Sequence, residues 1–474
     1  MKRKIGNTEY KSQKSAYRIQ NSEFRIQGTE YRIEHYPLLL LYCSLLIVHC
    51  SLIASDPIPA KRQDHPIALL GATIHPVSGP EIPNGTILFD NGKVTGIGTT
   101  VSLPADVEKI DVTGKHIYPG IINANSTVGL TEIEAVRATN DYAETGRINP
   151  NVRSEIAVNP ESELIPTLRA NGVVIANVMP QGGLIAGRSA AIMMDGWTQE
   201  DVVLKAPIGL VVNWPLMTIS HSPWIRQTEE EQKKDHTKQL KELSDAFADA
   251  RAYMVAKKAE TKKGIPYHAT DLRWEAMIPV LERKIPVFVN VNEIRQIEAA
   301  VQWAKDENIK LVIVSGRDSW RAADLLKAND VPVIVGPILD EPSREWEPYD
   351  DAYAVPSKLF AAGVRFAISG EGEAMGERNT PYHAAMAAAY GLPKEEALKA
   401  VTIYAAKILG IDAQTGSLEV GKDATLIVTN GDPLEIETNV QMEFIQGKKI
   451  DLRSRHTILY DKYREKYKQL GILK

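Results

Sequence analysis

Beyond its carboxylates, this 474-residue chain offers ten histidines and two cysteines for nucleophilic, acid–base or transition-metal chemistry. Cys43 and Cys50 both fall in one apolar run near the N-terminus, so a zinc ion elsewhere would have to use histidine or carboxylate. His35 and His49 belong to the N-terminal segment, His65, His75 and His116 to the stretch that follows it, and His456 to the tail. That leaves His221, His236, His268 and His383 in the central part of the chain. His236 stands among charged helix formers (KKDHTKQ) and reads as solvated. His383, in ERNTPYHAAMAAAYGLP, opens a helical pattern, where an imidazole can serve as a general base or simply pack on its neighbours. The segment QGGLIAGRSA (181–190) could bring backbone N–H groups to an anion beside Arg188. It lacks a Walker lysine and a dinucleotide fingerprint, and a Gly-rich hairpin is the plainer reading. Between residues 128 and 146, Glu132, Glu134, Arg137 and Asp141 can line a site or pair on the surface.

The elements that must position these groups show in the apolar pattern. From residue 67, IALLGATI and TILFDNGKVTGIG are short strands, and Asp-Asn-Gly between apolar alternations signals a hairpin. GSLEVGKDATLIVTNGDPL (416–434) and VQMEFIQGKKI (440–450) repeat that grammar near the other end. Between them, IYPGIINAN, GVVIANVMP, IGLVVNW, IPVFVNVN, KLVIVSG, VPVIVGP and VRFAISG alternate with helical stretches, which predicts a parallel sheet with helices outside. The expected fold is α/β: a (β/α)8 TIM-type barrel over 119–411, with a small β-sandwich-like domain built from both flanks, 63–118 and 412–452. Residues 226–262, rich in Glu, Lys, Gln and Ala, predict solvent-exposed helices inserted in the barrel, and 453–474 a helical tail packed by its Tyr, Ile and Leu stripe.

Residues 7–34 read NTEYKSQ, KSAYRIQ, NSEFRIQ and GTEYRIE, four copies of a seven-residue unit with too few apolar positions for a coiled-coil seam. The period runs on through YCSLLIV and HCSLIAS, so residues 1–60 are expected to form a repetitive leader apart from the folded core. The apolar run 37–54 has the length of a membrane span or signal core. If it works as one, the protein is exported or membrane-anchored; otherwise it is cytoplasmic. With 55 Lys+Arg against 60 Asp+Glu the formal charge is −5, so no overall field favours nucleic acid. Hydrophobic residues at 44% and charged ones at 24% exclude wholesale disorder and a disulfide scaffold.

Three segments carry a family likeness: Pro119-Gly120-Ile121-Ile122 at the first barrel strand, LVIVSGRDSWRAADLL (311–326), and the closing run EEALKAVTIYAAKILGIDAQTGSLEVGKDATLIVTNGDPL (395–434). Over roughly residues 67–450 the chain resembles the metal-dependent amidohydrolase superfamily, particularly its imidazolonepropionase-like branch. The resemblance implies a metal at the barrel mouth that makes hydroxide from water and polarises a scissile carbonyl. The family's Asp-x-His-x-His falls here on Asn123-Ala124-Asn125-Ser126-Thr127, so both histidines are replaced. The fifth-strand histidine falls on Asn290, with Asn292 two residues on, and the sixth-strand one on Ser315. The eighth-strand aspartate falls on Gly370 or, shifted by one, on Glu371; the fourth-strand ligand lies near Asn213.

Neutral amide and hydroxyl oxygens hold Zn²⁺ far less tightly than imidazole, so no metal is expected at the family site, and a divalent ion only through a rearranged one. Two readings follow from the resemblance. One is a hydrolase of non-peptide carbon–nitrogen bonds with a degenerate metal site, Glu371 and His383 being its catalytic candidates. The other is a non-catalytic small-molecule-binding protein on the same scaffold. In both, a small polar molecule meets Asn123, Asn125, Thr127, Arg188, Asn290, Asn292 and Ser315. Nucleic acid is not an expected partner, a membrane only through residues 37–54, and a homo-oligomer is compatible with the sequence.

Overall fold

A computed structural model describes residues 58–474 apart from Pro223, Thr261, Lys263, Glu371–Glu373 and Lys474. The repetitive leader and the apolar run 37–54 therefore lie outside the described residues. The expected leader boundary at 60 moves, because the Ala60 N–H donates to both carboxylate oxygens of Asp195 at 3.3 Å and Ala60 packs on the main core. Among the described residues no helix is long and apolar enough to cross a membrane.

Both flanks of the chain build one eight-stranded sheet. Its strands are β1 (Ile67–Ile74), β2 (Ile82–Asp90), β3 (Lys93–Gly98), β4 (Glu108–Asp111) and β5 (His116–Pro119) from the first flank. The order is completed from the last flank by strands 426–429, 440–445 and 448–449, the first of which pairs antiparallel with β5. The Asp-Asn-Gly hairpin forms as expected: Asp90 pairs with Lys93, and Asn91 and Gly92 adopt the positive φ of 50° and 77° that a two-residue hairpin turn requires. Alternate residues of these strands, among them Leu69, Ile87, Phe89, Ile117, Leu426 and Phe444, enclose a core of their own.

The seven apolar runs of the central region become β6 (Ile121–Ser126), β7 (Val173–Val178), β11 (Leu210–Asn213), β12 (Val287–Val291), β13 (Leu311–Ser315), β14 (Val333–Val335) and β15 (Phe366–Ile368), and three further short strands, β8 (Ile185–Arg188), β9 (Ala190–Met193) and β10 (Val203–Lys205), lie between β7 and β11. Continuous runs such as VVIANV in β7, buried throughout, are the mark of strands covered on both faces. β11 to β15 are parallel in chain order, as are β6 and β7. The strand between the two groups departs from the expected pattern. β8 and β9, separated only by Ser189, pair antiparallel with β11 and β7 respectively, so one bent strand joins a four-stranded sheet to a six-stranded one. The reason lies in its connection. Only residues 179–184 separate β7 from β8, and they turn at Gly182 and Gly183 (φ 83° and 68°), too few for the helical crossover a parallel strand needs. Among the described residues no ladder joins β15 to β6; the Gly370 N–H donates instead to Asn123 Oδ1 at 3.2 Å.

Two helical expectations change. Within 226–262 the described residues form one long helix, Glu229–Ala259, capped by the Thr228/Glu231 box. It is not wholly solvated: Leu243, Ala246, Phe247 and Ala250 are buried, and Phe247 meets Trp303 edge-on at 5.0 Å. The tail helix Arg455–Gln469 buries no residue, so its Tyr and Leu stripe is exposed rather than packed.

Candidate functional site

The expected mouth lies at the C-terminal ends of the parallel strands, and the described residues at that end are mostly tied to one another. The carboxylate of Glu377 is the centre of the tightest group. Glu377 lies in a short 3-10 turn (Glu377–Asn379) before the helix Thr380–Ala389 and is fully enclosed. Thr127 N–H donates to its Oε1 at 2.8 Å, Asn123 Nδ2 to its Oε2 at 2.9 Å, and the Ser126 hydroxyl to the same Oε2. Burial pushes this carboxyl up to about 7, Glu134 adds to the rise, and the three hydrogen bonds pull against it. Asn123 is used at both ends, since its Oδ1 accepts from the Gly370 and Asn125 N–H groups at 3.2 and 3.5 Å. The side chain of Asn125 is half-buried beside this group.

On the far side of the mouth, Asn290 Nδ2 donates to Asn213 Oδ1 at 2.6 Å, and Asn213 Nδ2 to the Gly183 carbonyl at 2.9 Å. The two asparagines sit opposite each other in the β11–β12 register, the geometric reason that they pair. Among the described residues no hydrogen bond links Asn125 to Asn290 as facing partners. Asn292 and Ser315 line a small cavity of about 160 Å³ together with Gly336, Pro337 and the ion pair Arg317–Asp340. The Arg317 N–H reaches Asn292 Oδ1 at 3.4 Å. Next to it Asp318 is buried. Desolvation opposes its ionisation, but Arg344, bonding both its oxygens at 3.0 and 2.7 Å, and the Ile294 N–H outweigh that and hold the carboxyl below its usual range.

Two other expected residues are placed differently. His383 is buried in the helix Thr380–Ala389, and its Nδ1 accepts from the Ile338 and Leu339 N–H groups at 2.9 and 3.2 Å. Burial pushes the imidazole down to about 4, so it is neutral at physiological pH and its Nδ1 lone pair is committed to the backbone. Of the two alternatives open to His383, general base or packing on its neighbours, the second describes this geometry. Arg188 pairs with Leu210 at the start of β11, whereas Asn213 and Asn290 stand at the strand ends, so it is not at the level of the mouth. Burial lowers its guanidinium, with Glu155 opposing. Glu371, the other catalytic candidate, lies outside the described residues. Glu377 and Ser126 were missed by sequence reasoning: neither falls on a family ligand position, and the signal available was only a carboxylate shortly after the eighth strand.

The model of the Amidohydrolase family matches residues 349–450. An amidohydrolase named tasK from Hapsidospora irregularis is 20% identical over 388 residues, which cover 77% of this chain and only 39% of that protein. An imidazolonepropionase from Rhizobium rhizogenes is 23% identical over 392 residues, covering 76% of this chain and 90% of its own length. The crystal structure of an amidohydrolase from Thermotoga maritima superposes with a TM-score of 0.74 at 27% identity, covering 82% of this chain and all of that one.

Proposed function

We propose that this chain, as a member of the amidohydrolase superfamily it resembles, hydrolyses non-peptide carbon–nitrogen bonds of a cyclic or linear amide at the barrel mouth, without the family's metal centre. In this reading the eight strand positions form the family's barrel, with the Asn123–Gly370 bond spanning the seam between first and last. The observation that carries the proposal is Glu377, a carboxyl at the end of β6 poised near pH 7, the poise of a general acid–base. In this reading substrate binding must admit water to the enclosed carboxyl; Glu377 then takes a proton from that water as the water oxygen bonds to the amide carbon, and returns it to the nitrogen as the carbon–nitrogen bond breaks. Asn125 and Thr127 stand beside it to hold the amide.

The donors present do not fit the family's metal. The ligand positions hold Asn125, Thr127, Asn290 and Ser315, neutral oxygens that cannot offset a divalent charge, and the amide of Asn290 is already committed to Asn213. Among the described residues no three His, Cys, Asp or Glu side chains are grouped to hold an ion.

A second reading, a non-catalytic binding protein, is favoured by the complete enclosure of Glu377, which separates it from solvent, and by the cavity at Asn292 and Ser315. Amine release from a panel of cyclic and linear amides by the full-length protein separates the two. Hydrolysis that falls roughly 10²–10⁴-fold in Glu377→Gln, with the fold intact, supports the catalytic reading. Hydrolysis that survives Glu377→Gln and disappears in Glu371→Gln moves the role to Glu371. Ligand binding without turnover, lost when Asn125 and Asn290 are both replaced by Leu, establishes the binding reading.

A further inference from the structure

The end of the barrel opposite the mouth holds a depression of about 710 Å³, within the range of small-molecule sites. Its cations arrive from separate connections. Lys205 ends β10, Arg283 and Lys284 lie in the turn before β12, Lys310 immediately precedes β13, and Arg365 immediately precedes β15. Lys305 and Lys407 come from the last turns of the helices Ile294–Asp306 and Ile403–Leu409. Asp330 is the only carboxylate among the lining residues, and it is taken by Arg365 at 2.8 Å. Lys284 has Glu282 at 2.9 Å. Among the described residues, Lys205, Arg283, Lys305, Lys310 and Lys407 form no ion pair.

The helix dipole accounts for a cation at any one helix end. It does not account for seven of them, five without a carboxylate partner among the described residues, meeting in one hollow of a chain whose formal charge is −5, because like charges brought together with too few counter-charges repel. Arg283 is placed there by a backbone that ordinarily favours glycine, at φ 58°, and its guanidinium is steadied by Asn308 Oδ1 at 3.1 Å. The floor is apolar, formed by residues such as Ile208, Ile309 and Leu409, so attraction inside is less screened than on open surface.

We propose that this depression is an anion site for a multiply charged phosphate group, carried by a soluble compound or by a lipid headgroup. Guanidinium and ammonium groups converging from several loops match the several oxygens of such a group, where a single carboxylate would leave most of them unused.

The test is calorimetric titration of the full-length protein with inorganic tripolyphosphate at low and high salt. In parallel, sedimentation is measured with phosphatidylcholine vesicles, with and without a phosphoinositide. Lys305 and Lys310 are exposed, so the double variant Lys305→Glu/Lys310→Glu keeps the fold, and Lys462→Glu/Lys466→Glu on the tail helix changes charge equally far from the site. Saturable, salt-sensitive binding that weakens roughly tenfold or more in the first variant and not in the second supports the proposal. Tripolyphosphate binding assigns the group to solution, and selective sedimentation with phosphoinositide vesicles alone assigns it to lipid. Absence of both, or equal loss in the two variants, overturns it.

Discussion

Replacing Glu377 by Gln should change how stability depends on pH, with a sign and size that follow from its surroundings. The carboxyl is fully enclosed and raised to about 7 from the usual 4.5, so the folded protein binds its proton more tightly than the unfolded chain does. That contribution is fully present below pH 4.5 and is lost as pH rises through about 7. At about 1.36 kcal/mol per pH unit the interval is worth roughly 3 kcal/mol. His383 works in the opposite sense. Lowered to about 4 from 6.5, it stabilises above pH 6.5 and loses that contribution as pH falls toward 4, so the two partly cancel in the native protein. The informative quantity is therefore the stability difference between native protein and Glu377→Gln, measured by urea unfolding at steps from pH 5 to pH 8. The amide keeps shape and one acceptor oxygen but cannot ionise. The native protein should lead by its largest margin near pH 5, and that margin should shrink by roughly 3 kcal/mol by pH 8. A difference that stays flat across the range would mean that Glu377 ionises alike in the folded and unfolded states.

Three further outcomes are expected. Elemental analysis of protein purified without chelators should find well under one transition metal per chain; stoichiometric zinc removed together with activity would mean that the chain holds a catalytic metal through a rearranged set of ligands. Substituting His383 by Leu leaves the Ile338 and Leu339 N–H groups buried without their acceptor, at about 1–3 kcal/mol each, so unfolding measurements should show a loss of that order while turnover per folded molecule is unchanged. Deleting residues 2–55, which keeps Ala60 and its bonds to Asp195, should alter the thermal stability of the remainder by less than about 1 kcal/mol; failure to fold would show that the leader is part of the core.

The strands could be read from the chain itself, because burial on both faces demands continuous apolar runs and a hairpin demands residues that accept positive φ. VVIANV, VFVNV and LVIVS state the first requirement, and Asp90-Asn91-Gly92 the second. That Asn125, Thr127, Asn290 and Ser315 carry no imidazole was equally visible, since residue identity alone settles which donors a position offers. What stripe patterns could not convey was direction and partnership. QGGLIAGRSA looks alike whether its strand runs with its neighbours or against them; the short turn at Gly182 and Gly183 decides for the reverse. The tail helix shows an apolar stripe whether or not a surface exists to cover it, and none of its residues is buried. Glu377 is separated from Asn123 by 254 positions, and nothing local distinguishes it from a surface glutamate. Only the folded chain removes its water, brings the N–H of Thr127 and the amide of Asn123 to its two oxygens, and thereby makes an ordinary carboxylate into one that ionises near neutrality.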